Sequence, residues 1–539
     1  MDKILYNGNF KTMDNESEQV SAVAIKNGII IKMGRDENIL PLANEKTELI
    51  NLNQKLVLPG FHDTHLHLLF YGTLKRKINL SEVTTFEEVV KLCSKRIEQA
   101  KLENKWIIGC NFNQDNWTDC KKLPDRHDLD AICEDVPIAL LRACGHIACL
   151  NTKGLRVLKL WDERKENTEK ILDFGTDGKP NGYVREKTAI EIQPKLENFS
   201  IEDMKNILVD ACNEAASKGI TQLQSDDFNI LNENDYEDVI KVYKELCEED
   251  KLPIRVVEQA RFASDEQLEE FLKHGHRFNE SYGNFKIGPL KVIEDGSLGS
   301  HSAAMRKPYI NDKDVKGILN RNEEEFYTHC KIAYREGFPV ITHCIGDASL
   351  ELVCNVIDRL MKEYPSVDRR NGIVHCQIMD KELQERFKEL NLLAYVQPVF
   401  IKADSKIVDN CIGSDLAKQS YNWRKFVDMG VHMSGGSDCP VEPFDILPNI
   451  YYAVTRKPSI DSDAWYPENS VNLEEAVNMF TKEGAYSSYD ENRMGTISVG
   501  KLADLVVLDK NIFEEDIEEI FKTNVEMTMV GGRVVYERV

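Results

Sequence analysis

Residues 61–68 read Phe-His-Asp-Thr-His-Leu-His-Leu, which places three histidines within six positions of a chain that holds twelve. The apolar run before them, Leu56 to Phe61, reads as the start of a buried strand. Side chains two apart on a strand share a face. Asp63, His65 and His67 therefore point one way and His62 the other. Two imidazoles on one strand face can reach a single cation, and imidazole is a common ligand for Zn²⁺ and other transition metals. A lone His-x-His is also an ordinary polar strand end, so the decision rests with residues elsewhere.

Those residues sit at the ends of other apolar runs. Lys291 lies in Gly-Pro-Leu-Lys-Val-Ile-Glu-Asp-Gly-Ser, His343 in Val-Ile-Thr-His-Cys-Ile-Gly-Asp, His375 in Ile-Val-His-Cys-Gln and Asp438 in Gly-Gly-Ser-Asp-Cys-Pro. Positioning them together requires a scaffold whose strand ends meet. Strands are expected at 56–67, 219–227, 253–262, 288–297, 338–347, 372–377, 392–398 and 431–438. Amphipathic stretches ending near glycine lie between most of them. Eight such strand–helix units predict an α/β fold, a (β/α)8 TIM-like barrel with its site at the C-terminal ends of the strands. Four histidines and an aspartate at matching strand ends then converge on one point, as a metal site requires.

Both ends of the chain read differently. Residues 1–55 and 490–539 carry short strands with turns at Asn27-Gly28 and Gly531-Gly532, which predicts a small β-sandwich domain formed from both termini. The barrel then occupies 56–489. The span of about 68–215 is too long for one crossover and holds strand candidates of its own, so an inserted subdomain over the barrel mouth is expected there.

Composition excludes several function classes. The formal charge is −23, which disfavours a nucleic-acid partner, since that affinity rests on Lys and Arg neutralising phosphates. No signal-peptide core and no apolar run of about 18 residues is present, so no membrane association is expected. The fourteen cysteines form no C-x-x-C pair, which fits reduced thiols and a cytoplasmic location.

The motifs LPGFHDTHLH, GPLKVIEDGSLGS, ITHCIGDAS, IVHCQ, GGSDCPVEP and GTISVGKLADLVVLD together resemble the amidohydrolase superfamily, in particular its YtcJ-like branch of metal-dependent hydrolases (amidohydrolase family 3). The resemblance runs over essentially the whole chain. It implies that His65, His67, His343 and His375 are metal ligands, and that Asp438 is a ligand doubling as proton shuttle. It also implies that Lys291 is carboxylated by CO2 to a carbamate bridging two ions. The expected cofactor is one or two divalent ions per chain, zinc above others. Such an ion lowers the pKa of water to about 7 and polarises a carbonyl, so the implied reaction is hydrolysis of a non-peptide, amide-like C–N bond of a small molecule by metal-bound hydroxide. His146, in Cys144-Gly145-His146, matches a segment that reaches the substrate in relatives, although the family has Asp where Cys144 stands. His301 replaces the arginine of the family's DGSLGSRTA and is a second substrate-binding candidate. A homodimer is the oligomeric expectation.

Two other readings stay open at this point. A deaminase of the same superfamily carries a catalytic glutamate three residues after the strand-five histidine, where this chain has Gly346. A metal-free scaffold would have lost ligands, whereas every expected one is present.

Overall fold

The computed structural model describes residues 1–539 other than 15–18, 145, 164–171, 197–198, 232–235, 367 and 539. Two compact units divide them, Met1–Phe70 with Lys205–Val539, and Tyr71–Met204.

In the first unit eight parallel strands follow one another in chain order: β1 (Phe61–Leu66), β2 (Ile220–Ser225), β3 (Arg255–Arg261), β4 (Phe285–Ile293), β5 (Val340–Cys344), β6 (Gly372–His375), β7 (Leu393–Val396) and β8 (Met433–Gly435). Helices such as Asp265–Lys273, Glu323–Tyr334 and Asp347–Glu363 separate them. Local chemistry starts these helices where the chain must turn. Asn322 and Glu325 form a reciprocal capping box for one, and the Ser264 hydroxyl caps another. Isoleucine, valine and leucine fill the strands, buried along nearly their whole lengths, as both faces of a parallel sheet demand. The fold is the expected α/β architecture, a TIM-like barrel with additional sheets.

The seam between β1 and β8 is closed by individual bonds rather than a regular ladder. Thr64 Oγ1 donates to Gly435 O at 3.0 Å, and the amide of Ser437 donates to Asp63 Oδ1 at 3.0 Å. The Asp438 amide donates to His65 O and the His67 amide to Cys439 O, both at 2.8 Å. The backbones come so close here that a Cβ on Gly436 would lie 2.7 Å from the His65 amide nitrogen.

The expected strand 56–67 is two strands. Leu56–Pro59 pairs antiparallel with Leu505–Leu508 in a five-stranded sheet, and β1 begins only at Phe61. Gly60 marks the passage, because a side chain there would meet Thr221 Cγ2 at 2.1 Å. That sheet also holds Asn9–Phe10, Val525–Val530 and Arg533–Glu537, and it shares a core with the four-stranded sheet of residues 3–51 through Leu5, Val23, Val57, Leu505 and Met529. The Asn27-Gly28 and Gly531-Gly532 turns have positive φ at both central residues, the geometry that hairpin turns require.

The second unit has a six-stranded sheet built around Ile107–Phe112, Ile138–Arg142 and Ile147–Leu150, with apolar clusters of its own around Trp117 and Leu155. Among the described residues no helix is long and apolar enough to cross a membrane.

Candidate metal centre

Polar side chains gather at the C-terminal ends of the barrel strands. His65 Nε2 lies 3.3 Å and His67 Nε2 3.1 Å from the same oxygen, Asp438 Oδ1. His65, His67 and Asp438 form a group whose donor atoms all lie within 4.8 Å of one another. Lys291 Nζ is 3.2 Å from His65 Nε2. The ring of His375 is 5.7 Å from that of His65 and 4.4 Å from that of His343, centroid to centroid. Six of the eight residues singled out from the sequence therefore come together.

Every histidine in the cluster has its Nδ1 held by an oxygen. His65 Nδ1 meets Gln259 Oε1 at 2.8 Å, and His375 Nδ1 meets Gln397 Oε1 at 2.8 Å. His343 Nδ1 meets Asp295 Oδ1 at 3.1 Å, and His67 Nδ1 is bonded to Asp226 Oδ1. The Gln259 amide is fixed in this sense, because its Nε2 donates to Thr64 O and Gln224 Oε1 at 2.9 and 3.2 Å. Each Nδ1 must then carry the hydrogen, which leaves the Nε2 lone pairs for the centre. This arrangement of a held Nδ1–H and a free Nε2 is the usual outer support of a metal-bound histidine.

The donors fit a divalent cation on electrostatic grounds. With Nδ1 hydrogen-bonded, His65 turns a lone pair toward Asp438 Oδ1 at 3.3 Å, and two acceptors at that distance repel unless positive charge lies against both. Burial would lower the His67 pKa, yet Asp226 and then Asp438 overcome it and push it up to about 10, so the His67 ring holds a second proton that a bound cation would displace from Nε2. Burial lowers His65 to about 4, with Lys291 adding to the effect. Burial alone would raise Asp438, but the imidazoles beside it, the hydrogen-bonded His67 among them, hold it well below the ordinary carboxylate value. Lys291 is lowered to about 8 by burial, against the pull of Asp226 and Asp438.

Backbone geometry aims these side chains. Asp438 lies three residues past β8 at φ 59°, and His375 and Cys376 end β6 at φ 84° and 51°. Left-handed conformations cost non-glycine residues of order 1–3 kcal/mol and collect at functional sites. Asp295 ties the loops after β4 and β5 together. It accepts from the amides of Ala304, Ile345 and Gly346, and from the Ser349 hydroxyl, at 2.7–3.1 Å.

The remaining two candidates make other contacts. His301 has φ 55°, stacks on Tyr309 at 4.6 Å, and has Asp312 Oδ2 3.5 Å from its Nδ1. Among the described residues none of its contacts is to the cluster. His146 is exposed in the second unit, with Glu186 Oε2 3.5 Å from its Nδ1, and its neighbour Gly145 lies outside the described residues. Gln259, Gln397, Asp226 and Asp295 are the supports. Of these, only Asp295 falls within a motif that draws attention in the sequence. The signal for Asp226 and Gln259 was available as polar residues inside apolar strand runs, Gln224-Ser225-Asp226 and Glu258-Gln259.

Comparison with known proteins identifies the family. A family model described as the amidohydrolase family matches residues 48–536. The YtcJ protein of Bacillus subtilis (strain 168), a putative amidohydrolase, is 28% identical over 99% of this chain and 100% of its own. An N-substituted formamide deformylase of Arthrobacter pascens is 21% identical over 100% of this chain and 98% of its own. The crystal structure of an uncharacterized metal-dependent hydrolase from Pyrococcus furiosus superposes with a TM-score of 0.77 at 26% identity, covering 94% of this chain and 99% of that one.

Proposed function

Since this chain belongs to the amidohydrolase family, we propose that it cleaves a non-peptide, amide-like C–N bond of a small molecule with one or two divalent ions, zinc among them. The observation that carries the reading is the set of four clustered histidines with oxygen-held Nδ1 atoms, of which His65 and His67 face Asp438 and His65 also meets Lys291. His65, His67, His343, His375 and Asp438 would hold the metal, and Lys291, as its carbamate, would add an anionic oxygen ligand. Bound there, the ion supplies Lewis acidity toward the carbonyl and brings the pKa of water to about 7.

The chain's own residues supply the rest. Asp438 is anionic and anchored through Oδ1, so it can accept the proton of the attacking water and deliver it to the departing nitrogen. Asp226 and Gln259 fix the tautomers of His67 and His65 and so keep their lone pairs aligned. Lys291 is buried beside His65. An ammonium there would repel a dication, whereas a carbamate offers it anionic oxygen. His146 and His301 are proposed to act only in substrate selection.

A deaminase reading is disfavoured by space as well as sequence. A Cβ on Gly346 would lie 2.0 Å from Ala304 O, so no glutamate fits at that position. The formamide-cleaving relative supports including formamides among candidate substrates.

The test is metal analysis of protein purified without chelator, followed by turnover of an amide, carbamate and formamide panel. One to two equivalents of divalent metal, with hydrolysis lost on chelation and restored by Zn²⁺, is the expected result. Full metal occupancy with no hydrolysis anywhere in the panel would refute the C–N assignment.

A further inference from the structure

Two fully buried acids next to the metal cluster are not used by the chemistry above. Glu258 precedes Gln259 on β3, so strand parity turns it away from His65 and out of the barrel interior. Its Oε1 accepts the amides of Asp227 and Phe228 at 2.9 and 3.1 Å. Its Oε2 is buried without a hydrogen-bond partner among the described residues. Asp227 is the second acid. Its Oδ1 accepts the Leu69 amide at 2.8 Å and the Ser225 hydroxyl at 2.6 Å, and its Oδ2 accepts the Tyr243 hydroxyl. Glu258, Asp227, Ser225 and Tyr243 are all fully buried.

These bonds close around His67. The Asp226 amide donates to Leu66 O at 3.3 Å, and Ser225 Oγ accepts the Leu68 amide at 2.8 Å. The backbone on either side of His67 is therefore pinned to the segment that carries Asp226, the partner of its Nδ1. A helix begins at Leu68, and the first amides of a helix have no partner within it. Ser225 and Asp227 supply those acceptors from another strand. Glu258, on the next strand of the barrel, fixes the same segment through two more amides.

The pattern of donors also assigns the proton. Asp227 receives three donors spread over both oxygens, which favours its anion, as does its place at a helix start. Glu258 receives two donors on one oxygen and leaves the other bare, and a bare charge in a dry interior costs far more than a neutral acid. Burial, and then Asp227, raise Glu258 well above the ordinary carboxyl value.

We propose that Glu258 is a neutral acid that positions His67, holding the chain after β2 so that Asp226 stays on Nδ1 and Nε2 faces the cation. This rests on the metal-dependent reading above and adds to it a residue that touches neither metal nor substrate.

The experiment compares Glu258→Gln, Glu258→Leu and Asp227→Asn with wild type. Chelator competition gives the Zn²⁺ affinity, and visible absorption of Co²⁺-loaded protein gives the ligand geometry. Infrared difference spectra report the acid itself through its carbonyl stretch. Glu258→Gln keeps an oxygen for both amides, so its Zn²⁺ affinity should stay within about threefold of wild type. Its Co²⁺ spectrum should be unchanged, and one protonated-carboxyl band of wild type should be missing. Glu258→Leu leaves two buried amides without an acceptor. It should lose about 10–100-fold in Zn²⁺ affinity, the scale of removing an outer support, with an altered Co²⁺ spectrum. Asp227→Asn removes the anion and should lose about tenfold, more than Glu258→Gln.

Losses in Glu258→Gln equal to those in Glu258→Leu would make Glu258 an anion and overturn the proposal. An infrared spectrum of Glu258→Gln that keeps every protonated-carboxyl band would overturn it too. Lower stability of Glu258→Leu with wild-type Zn²⁺ affinity and Co²⁺ spectrum would leave only a packing role. Should Glu258→Leu fail to fold, the infrared band and the order of Glu258→Gln and Asp227→Asn decide. Zn²⁺ binding that depends on Glu258 in a protein that cleaves no amide would refute the C–N assignment and leave the positioning role standing.

Discussion

Gln259→Leu isolates the outer support of one histidine. The substitution removes the acceptor that holds His65 Nδ1 at 2.8 Å and the donor to Thr64 O and Gln224 Oε1. It touches no proposed ligand atom. Without its acceptor the His65 imidazole is free to take the other tautomer or to rotate, and its Nε2 lone pair is no longer committed to the centre. Loss of such a support lowers metal affinity by roughly 10–100-fold, or about 1.4–2.8 kcal/mol. Two buried acceptors also lose their donor, which costs the metal-free fold about 1–3 kcal/mol. Chelator competition measures the first quantity, and denaturant unfolding of chelated protein measures the second. Gln259→Glu restores an acceptor to Nδ1 and should recover most of the metal affinity. An unchanged metal affinity in Gln259→Leu, with the predicted loss of stability, would refute the claim that Gln259 orients a ligand.

Asp438→Asn should retain metal but lose 10²–10⁴-fold in turnover, roughly the contribution of general acid–base catalysis; near-normal activity would assign the proton transfer to another group. Lys291→Ala should lose the bridge and most activity, with partial recovery in bicarbonate plus a short carboxylic acid. A crystal showing a bare Lys291 amine turned away from a fully occupied site would refute the carbamate. Burial raises Asp404 to about 6, although Tyr421 donates to it at 2.8 Å. Because the folded pKa lies above the unfolded one, the folded state binds the extra proton, so stability should fall as pH rises from about 4 to 6 and level off above. The size is about 1–2 kcal/mol after screening at a partly exposed group, and Asp404→Asn unfolding curves measured across that range should lack the trend.

The barrel was legible because each strand is a short apolar run between turn signals, and polar residues at its end stand out against leucine and valine. Lys291 and His343 became visible in that way. What stayed hidden depends on pairing between distant segments. Nothing local in Leu56–Pro59 says that it leaves the barrel to pair with Leu505–Leu508, since both environments ask for buried aliphatic residues. Gln397 stayed hidden because an amide is a common residue, and only its bond to a histidine gives it a role. The position of Asp438 depends on a left-handed turn after β8, where strand parity no longer predicts direction.

The pairing of Leu56–Pro59 with Leu505–Leu508 also sets an order of events during synthesis. β1 carries His65 and leads directly to His67, and the strand that feeds it through Gly60 finds its antiparallel partner only more than four hundred residues later. At the ribosome the first histidines emerge early and then wait, because contacts of such long sequence separation close late. The histidine-bearing strand therefore stays without one of its anchors until Leu505–Leu508 has left the exit tunnel. A nascent chain interrupted before that point would present its histidines on a strand whose register is still open.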